Sequence, residues 1–213
     1  MTLQLALSTT AVLLIIGLPL AHWLARSRRS WTWIVDGVVS LPLVLPPTVL
    51  GFYLLWAAGP NAGFGKYFIS LFGQQLPFTF LGVLVASVIY NLPFAVRPFT
   101  AAFAAIDQRL LEAAWCLGSS PWRTFWRVSV PLASPGILAG MVLAFAHTIG
   151  EFGIVLMVGG NIPGVTRTLS IAIYDDVQAL EYQSAARTSL LLVIFAFATL
   201  SLVYRLQKRM PQP

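Results

Sequence analysis

Charged residues are scarce in this chain of 213 residues. Asp, Glu, Lys and Arg make up 9% of the sequence, whereas a soluble domain carries about 25%. So few charges cannot cover a surface that faces water, but a content of 58% hydrophobic residues suits a lipid environment. The composition therefore excludes an ordinary soluble protein and indicates an integral membrane protein.

Cysteine, histidine and lysine are also rare, and each shortage excludes a class of site. The single cysteine, Cys116, excludes an intrachain disulfide framework. Together with His22 and His147 it provides neither a metal site nor a catalytic constellation, so no cofactor and no intramembrane enzyme is expected. The two lysines, Lys66 and Lys208, do not lie in a G-x-x-x-x-G-K-[ST] motif, so ATP cannot be held by that motif.

Apolar runs dominate what is present, and five are long enough for membrane-spanning helices of about 20 residues. The predicted spans are approximately residues 3–25, 37–58, 76–96, 132–158 and 188–204. Basic residues concentrate on one side of this layout, as the positive-inside rule requires for the cytoplasmic side. The ten basic residues on that side are Arg26, Arg28, Arg29, Arg97, Arg109, Arg123, Arg127, Arg205, Lys208 and Arg209.

Three basic residues, Lys66, Arg167 and Arg187, fall on the other side. The sequence therefore predicts an all-α membrane protein of one domain, with the N-terminus outside and the C-terminus in the cytoplasm. The formal charge of +6 is explained by residues that flank spans and contact lipid headgroups, not by nucleic-acid binding.

The second span contains Pro42, Pro46 and Pro47, which remove backbone donors and break regular helix. Broken backbone at membrane depth is tolerated where protein or water satisfies it, so this span is expected to face a cavity. A merely kinked packing helix is the alternative. The Gly-rich residues 59–75 are predicted to form an outer loop.

Residues 101–131 carry the signals of a helix, a tight turn and a second helix. Helix formers run from 101 to 117, and Gly118 supplies the left-handed residue that commonly ends a helix. Ser120 and Pro121 fit the N-cap and first position of a second helix, which Pro131 is expected to stop. An apolar stripe is predicted at Ile106, Leu110, Ala113, Ala114 and Leu117. Such a hairpin suits either the inner leaflet or a groove in a partner protein.

The order Glu112-Ala113-Ala114, Gly118 and Val130-Pro131-Leu132 resembles the EAA loop of ABC-transporter permease subunits. In that family the loop docks into a groove on a cytoplasmic ATPase. The resemblance implies that Glu112, Ala113 and Ala114 contact the ATPase, and that Gly118 allows the turn between two coupling helices. It also implies a type I ABC importer permease fold.

Three further stretches are similar to the molybdate permeases among the oxyanion importers, so the resemblance extends over essentially the whole chain. They are residues 41–55, residues 150–153 (Gly-Glu-Phe-Gly), and residues 160–168 with the run Pro-Gly-Val-Thr-Arg-Thr. The resemblance implies a homodimeric pore, two ATPase subunits and an extracytoplasmic oxyanion-binding protein in a bacterial or archaeal cytoplasmic membrane. It further implies five spans, without the additional N-terminal span of some members. Sulfate, thiosulfate and tungstate are alternative substrates.

An oxyanion path requires neutral donors and positive helix ends, because tight charge pairing would trap the ion. Thr48, Ser87 and Asn91 are candidates, and interhelical hydrogen bonding is the alternative role for each.

Glu151 would repel an anion, so it is expected near the outer interface in an ion pair with Arg167 or Arg187. Neutralising Glu151 should then impair transport or assembly. His147 is expected to be a packed polar residue.

A stand-alone secondary carrier or channel is the competing class of function. Such a protein would transport without an ATPase and would favour acidic or histidine relay residues at mid-membrane. Asp107 and Glu112 fall in the loop, and Glu151 is expected near the outer end, so the sequence favours the ATP-driven importer.

Overall fold

The computed structural model describes residues 1–27 and 29–209, and these residues form helices joined by short connections, without a β-strand. Arg28 lies outside the described residues, as do the side chains of Arg205, Lys208 and Arg209. The α-helices are α1 (Thr2–Arg26), α2 (Thr32–Val44), α3 (Pro47–Ala58), α4 (Gly63–Phe72), α5 (Phe80–Ala104), α6 (Gln108–Cys116), α7 (Pro121–Thr124), α8 (Val130–Gly150), α9 (Gly153–Gly159), α10 (Leu169–Gln178) and α11 (Tyr182–Arg209). A π-helical turn, Phe125–Ser129, joins α7 to α8.

Four helical segments in the described ranges are long and apolar enough to cross a membrane, and a bent pair gives a fifth if it counts as one span. The four are Thr2–Arg26, Phe80–Ala104, Pro121–Gly150 and Tyr182–Ser201. The bent pair is α2 and α3, whose axes meet at 112°. The all-α fold class predicted from composition is confirmed.

The bend between α2 and α3 lies at Pro46 and Pro47. Leu45, which precedes the prolines, is extended, as the steric clash with a following proline ring requires. Pro47 then takes the first position of α3, where a missing N–H is tolerated. A turn of 112° is far beyond a kink, so the predicted break in this segment is confirmed.

Helices α1, α5 and α8 pack together around the largest buried cluster, with Phe99 and Phe103 of α5 at its centre. Small residues permit the close approach of the backbones. A Cβ at Gly140 would meet the Phe99 ring and the Ala95 carbonyl. A second buried cluster, which includes Val83, holds the short helix α9 against α5.

Two predicted helix ends are wrong. The helix expected to end before Arg97 continues to Ala104, because Pro93 and Pro98 are accommodated inside α5. Pro131 does not stop the second helix of the loop, since Pro121–Gly150 forms one segment of 30 residues. The π-helical turn directly before Pro131 explains this continuity. Val130 donates to the Phe125 carbonyl there, and a widened turn relieves the crowding that a proline causes in a regular helix.

Three further expectations about helices are corrected. The first predicted helix of the loop is interrupted at residues 105–107, because the Asp107 side chain caps a new helix by accepting from the Arg109 amide (2.9 Å). The predicted outer loop 59–75 contains helix α4, along which Phe64, Phe68 and Phe72 lie in contact. Helix α11 begins at Tyr182, six residues before the predicted span.

Candidate functional site: a coupling hairpin and a polar cluster in the membrane

A tight turn joins α6 to α7, and Gly118 makes it possible. Gly118 is left-handed, with φ of 79°. Its amide donates to the Trp115 carbonyl (2.9 Å), and the Ser119 amide donates to the Ala114 carbonyl (3.0 Å). These two bonds form a Schellman motif, which satisfies carbonyls at the end of a helix. Ser120 caps α7 by accepting from the Arg123 amide (3.3 Å), as predicted. We call residues 105–129 the coupling hairpin.

The coupling hairpin presents a mixed charged and apolar surface. Glu112 and Ala113 are exposed and Ala114 is half-buried. Large apolar side chains stand beside them in solvent, with Leu117 89% and Trp122 71% exposed. Surface of this kind is typical of a docking site for another protein.

The predicted apolar stripe is wrong in part, because its members do not share one face. Ile106 precedes α6 and is buried in the main core. Leu111, which the stripe omitted, is the residue of α6 that packs inward. Leu110 and Leu117 are exposed. Ile106 and Leu111 therefore fix the hairpin to the helix bundle, whereas Leu110 and Leu117 are accessible to a partner protein.

Arg26, at the end of α1, connects the coupling hairpin to the membrane helices. Its Nη2 donates to the carbonyls of Phe103 (2.9 Å) and Ile106 (3.2 Å), and its Nη1 donates to Gln108 Oε1 (3.1 Å). One guanidinium thus binds a carbonyl in the last turn of α5, a carbonyl in the connection to α6 and the side chain of the first residue of α6. The sequence predicts for Arg26 only a role in orienting the chain, because a position at the end of a span gives no signal of these distant partners.

Replacing Arg26 with Gln should loosen the coupling hairpin without unfolding the spans. Hydrogen bonds to charged groups each contribute about 1.5–3 kcal/mol, so amide hydrogen exchange across residues 105–112 should quicken by roughly tenfold or more. Hydrogen exchange with mass spectrometry on the purified protein provides the measurement. Arg29→Gln is the matched control, since Arg29 is exposed and lies over Trp31 instead. Equal exchange in both variants would contradict the role of Arg26.

A second group of polar residues lies inside the helix bundle. Asn91 of α5 is fully buried, and its Nδ2 donates to Glu151 Oε2 (3.0 Å) and to the Ser87 carbonyl (2.9 Å). His147 Nδ1 lies 2.9 Å from Asn91 Oδ1. His147 also stacks on Phe94, with ring centroids 3.9 Å apart. We call Asn91, His147 and Glu151 the polar cluster.

The break between α8 and α9 delivers Glu151 to this cluster. Helix α8 ends at Gly150 and Glu151 is extended, so its side chain turns toward α5. Glu151 is 4% exposed, and its Oε1 has no hydrogen-bond partner among the described residues. Asn91 lies eleven residues, or about 16 Å, from the N-terminal end of α5. It also lies thirteen residues before the C-terminal end of α5, so the polar cluster is close to the middle of this helix.

The predicted ion pair of Glu151 with Arg167 or Arg187 is wrong. Arg167 pairs with Asp175 (2.6 Å), which also accepts from Asn161. Arg187 is exposed and makes no ion pair among the described residues. Glu151 instead accepts a hydrogen bond from Asn91, because α8 ends at Gly150 and the extended backbone at Glu151 turns the side chain into the bundle.

An open cavity of about 460 Å³ adjoins the polar cluster. Its lining residues are Pro47, Tyr90, Ala146, His147, Gly150, Glu151, Phe152 and Gly153. Of the path candidates in the broken segment, Pro47 lines the cavity, Thr48 and Pro46 are exposed and Pro42 is buried. Ser87 and Asn91 are buried behind the cavity wall. The cavity therefore lies between the bend that joins α2 to α3 and the break that separates α8 from α9.

Known proteins resemble this chain over nearly its whole length. The profile of the family described as "binding-protein-dependent transport system inner membrane component" matches residues 14–212. The molybdenum transport system permease protein ModB of Azotobacter vinelandii is 52% identical over 204 residues, which cover 96% of this chain and 90% of that protein. A probable sulfate transport system permease protein of Chlorokybus atmophyticus is 38% identical, covering 86% of this chain and 64% of that protein.

Among solved structures, the inward-facing MetNI methionine ABC transporter superposes with a TM-score of 0.75 at 18% identity. That alignment covers 99% of this chain and 93% of the matched chain, so it establishes the fold. The profile match and the identity over nearly the full length establish more than the fold. The chain belongs to the family of inner membrane components of binding-protein-dependent transport systems.

Proposed function

We propose that this chain is the pore-forming permease subunit of an ATP-driven importer that carries molybdate across the cytoplasmic membrane. The observation that carries the proposal is the identity of 52% with a molybdenum transport permease over 96% of the chain. Identity with the sulfate permease is lower and extends over less of the chain, so sulfate is the second candidate. Tungstate, which has nearly the same size and charge as molybdate, is a further candidate.

The coupling hairpin is the proposed contact with a separate ATPase. Its supporting features are the exposed Glu112, the exposed apolar residues around it, and a turn whose geometry is fixed by Gly118. Energy must come from such a partner, because the chain carries no phosphate-binding motif of its own. Two ATPase copies would serve two copies of this chain.

The cavity at the polar cluster is the proposed part of the translocation path. It joins the α2–α3 break to the α8–α9 break, where backbone groups are free of regular helix bonding and available to polar cargo. The outer loop 160–168 is the proposed contact surface for an extracytoplasmic oxyanion-binding protein, with the N-terminus outside. The second copy would cover the apolar faces that one chain leaves exposed, and lipid would cover the rest.

Uptake into proteoliposomes tests the proposal. The chain should be reconstituted with its candidate ATPase and binding protein, and labelled molybdate should accumulate only when ATP is present. Excess unlabelled molybdate should abolish the signal, while sulfate should compete about tenfold or more weakly, the factor that 1.4 kcal/mol of discrimination gives. Equal competition by sulfate would assign the chain to the general oxyanion permeases. Accumulation without the ATPase would instead establish a secondary carrier.

A further inference from the structure

Arg97 has a special position in the helices that line the cavity, which are α3, α5, α8 and α9. It is the only Lys or Arg in these helices and in α2, which joins α3 at the bend, and Asp36 of α2 is the only acidic residue in the same five helices. Arg97 Nη2 lies 3.2 Å from Asp36 Oδ2, so these two charges form one ion pair between α5 and α2. A single isolated pair within two segments that can span a membrane is unusual, because ionisable residues in spans are costly and commonly mark ion paths.

Helical geometry places Arg97 on the cavity side of α5. Tyr90 lines the cavity, and Arg97 follows it by seven residues, which is two turns on the same helix face. Phe94 lies between them and stacks on His147 of α8. The face of α5 therefore leads from the cavity, over an aromatic surface, to the guanidinium about 10 Å further along the axis.

The guanidinium is held in place but remains accessible. Ser40 Oγ accepts from both Arg97 Nε (3.1 Å) and Nη2 (2.5 Å), while the Ser40 hydroxyl donates to the Asp36 carbonyl (2.7 Å). The Arg97 side chain is 50% exposed and that of Asp36 is 38% exposed. Half-exposed ion pairs are weak, so a doubly charged anion can compete for the same donors. The planar guanidinium of arginine can donate two parallel hydrogen bonds to a tetrahedral oxyanion, just as it does to a carboxylate.

We propose that Arg97 is an inner anion subsite of the translocation path and that Asp36 is its built-in competitor. This inference rests on the proposed function and names where the oxyanion is held after it leaves the cavity. The buried carboxylate of Glu151 repels the anion at the cavity, and Arg97 attracts it further along α5. Asp36 then displaces the anion by returning to the guanidinium, so the site binds and releases without trapping its cargo.

Retention of labelled molybdate by the permease–ATPase complex, without binding protein, tests this in lipid nanodiscs. Arg97→Gln should reduce retention by roughly tenfold or more, the effect of one charge-assisted hydrogen bond. Asp36→Asn should change it in the opposite direction, with about tenfold slower release, because the guanidinium then has no competitor. Sulfate should respond equally to both substitutions, since recognition is by charge. ATP hydrolysis should continue in both variants.

Opposite effects of the two substitutions separate a subsite from a structural ion pair. If Arg97→Gln and Asp36→Asn lower retention alike, or leave it unchanged, the pair merely joins α5 to α2 and the subsite is refuted. If Arg97→Gln fails to assemble, Arg97→Lys replaces it, because lysine keeps the positive charge but lacks the planar guanidinium. Its retention of molybdate is then compared with that of Asp36→Asn. Arg29→Gln, outside these helices, should behave as wild type. A wild-type complex that imports no oxyanion would contradict the proposed function itself, whereas wild-type import with equal variants contradicts the subsite alone.

Discussion

Gly118→Val should strongly reduce ATP-dependent uptake while leaving the spans folded. Gly118 adopts φ of 79°, and a β-branched residue is a true outlier there. No atom lies within 4 Å of a Cβ built at this position, so the penalty comes from the backbone and not from a clash. The turn would have to open, which separates α6 from α7 and disrupts the docking surface. We expect uptake to fall by about tenfold or more, from a backbone cost of roughly 1–2 kcal/mol in the hairpin.

Co-purification with the ATPase, followed by ATP hydrolysis and uptake, measures this effect. Gly118→Asn is the matched control, because asparagine tolerates the left-handed conformation and adds a side chain of similar size. It should retain most uptake, whereas Gly118→Asp tests an added charge at the same place. Glu112→Ala separates side-chain contact from hairpin shape. An intact complex with full coupling in Gly118→Val would refute the docking role of the hairpin.

The turn of the hairpin could be predicted because its chemistry is local. Gly118 ends one helix, and Ser120 with Pro121 begins the next, so a few adjacent residues determine the conformation. The break at Pro46 and Pro47 was predictable for the same reason. The hydrogen bonds from Arg26 to Phe103, Ile106 and Gln108 could not be predicted. They join residues that are distant in sequence and meet only through the packing of α1 against α5.

The polar cluster also concerns the alternative function. Glu151 and His147 both contact Asn91 in the middle part of α5, because the extended backbone at Glu151 turns its side chain into the bundle. A secondary carrier favours acidic and histidine residues inside the bundle, so their scarcity is no longer an argument against that class. The case for the importer now depends on family membership and the coupling hairpin.

Glu151→Leu should strongly destabilise the protein and stop transport. The substitution roughly keeps the side-chain volume but removes one of the two acceptors of Asn91 Nδ2, and Asn91 is fully buried. A buried donor left without its partner costs about 1–3 kcal/mol, which lowers Tm by roughly 2–12 °C in a chain of this size. Thermal unfolding in detergent or nanodiscs provides the measurement, with uptake as the functional readout.

Two further variants identify the origin of that loss. In Glu151→Gln the amide oxygen can still accept from Asn91, so Tm should stay near wild type while the negative charge disappears from the cavity. Any change in uptake by this variant then reports on the charge alone. Asn91→Leu combined with Glu151→Leu should cost less than the sum of the single substitutions, since each single change orphans the other residue. Strict additivity would show that Asn91 and Glu151 do not act as a pair, and the polar cluster would lose its role in holding the α8–α9 break against α5.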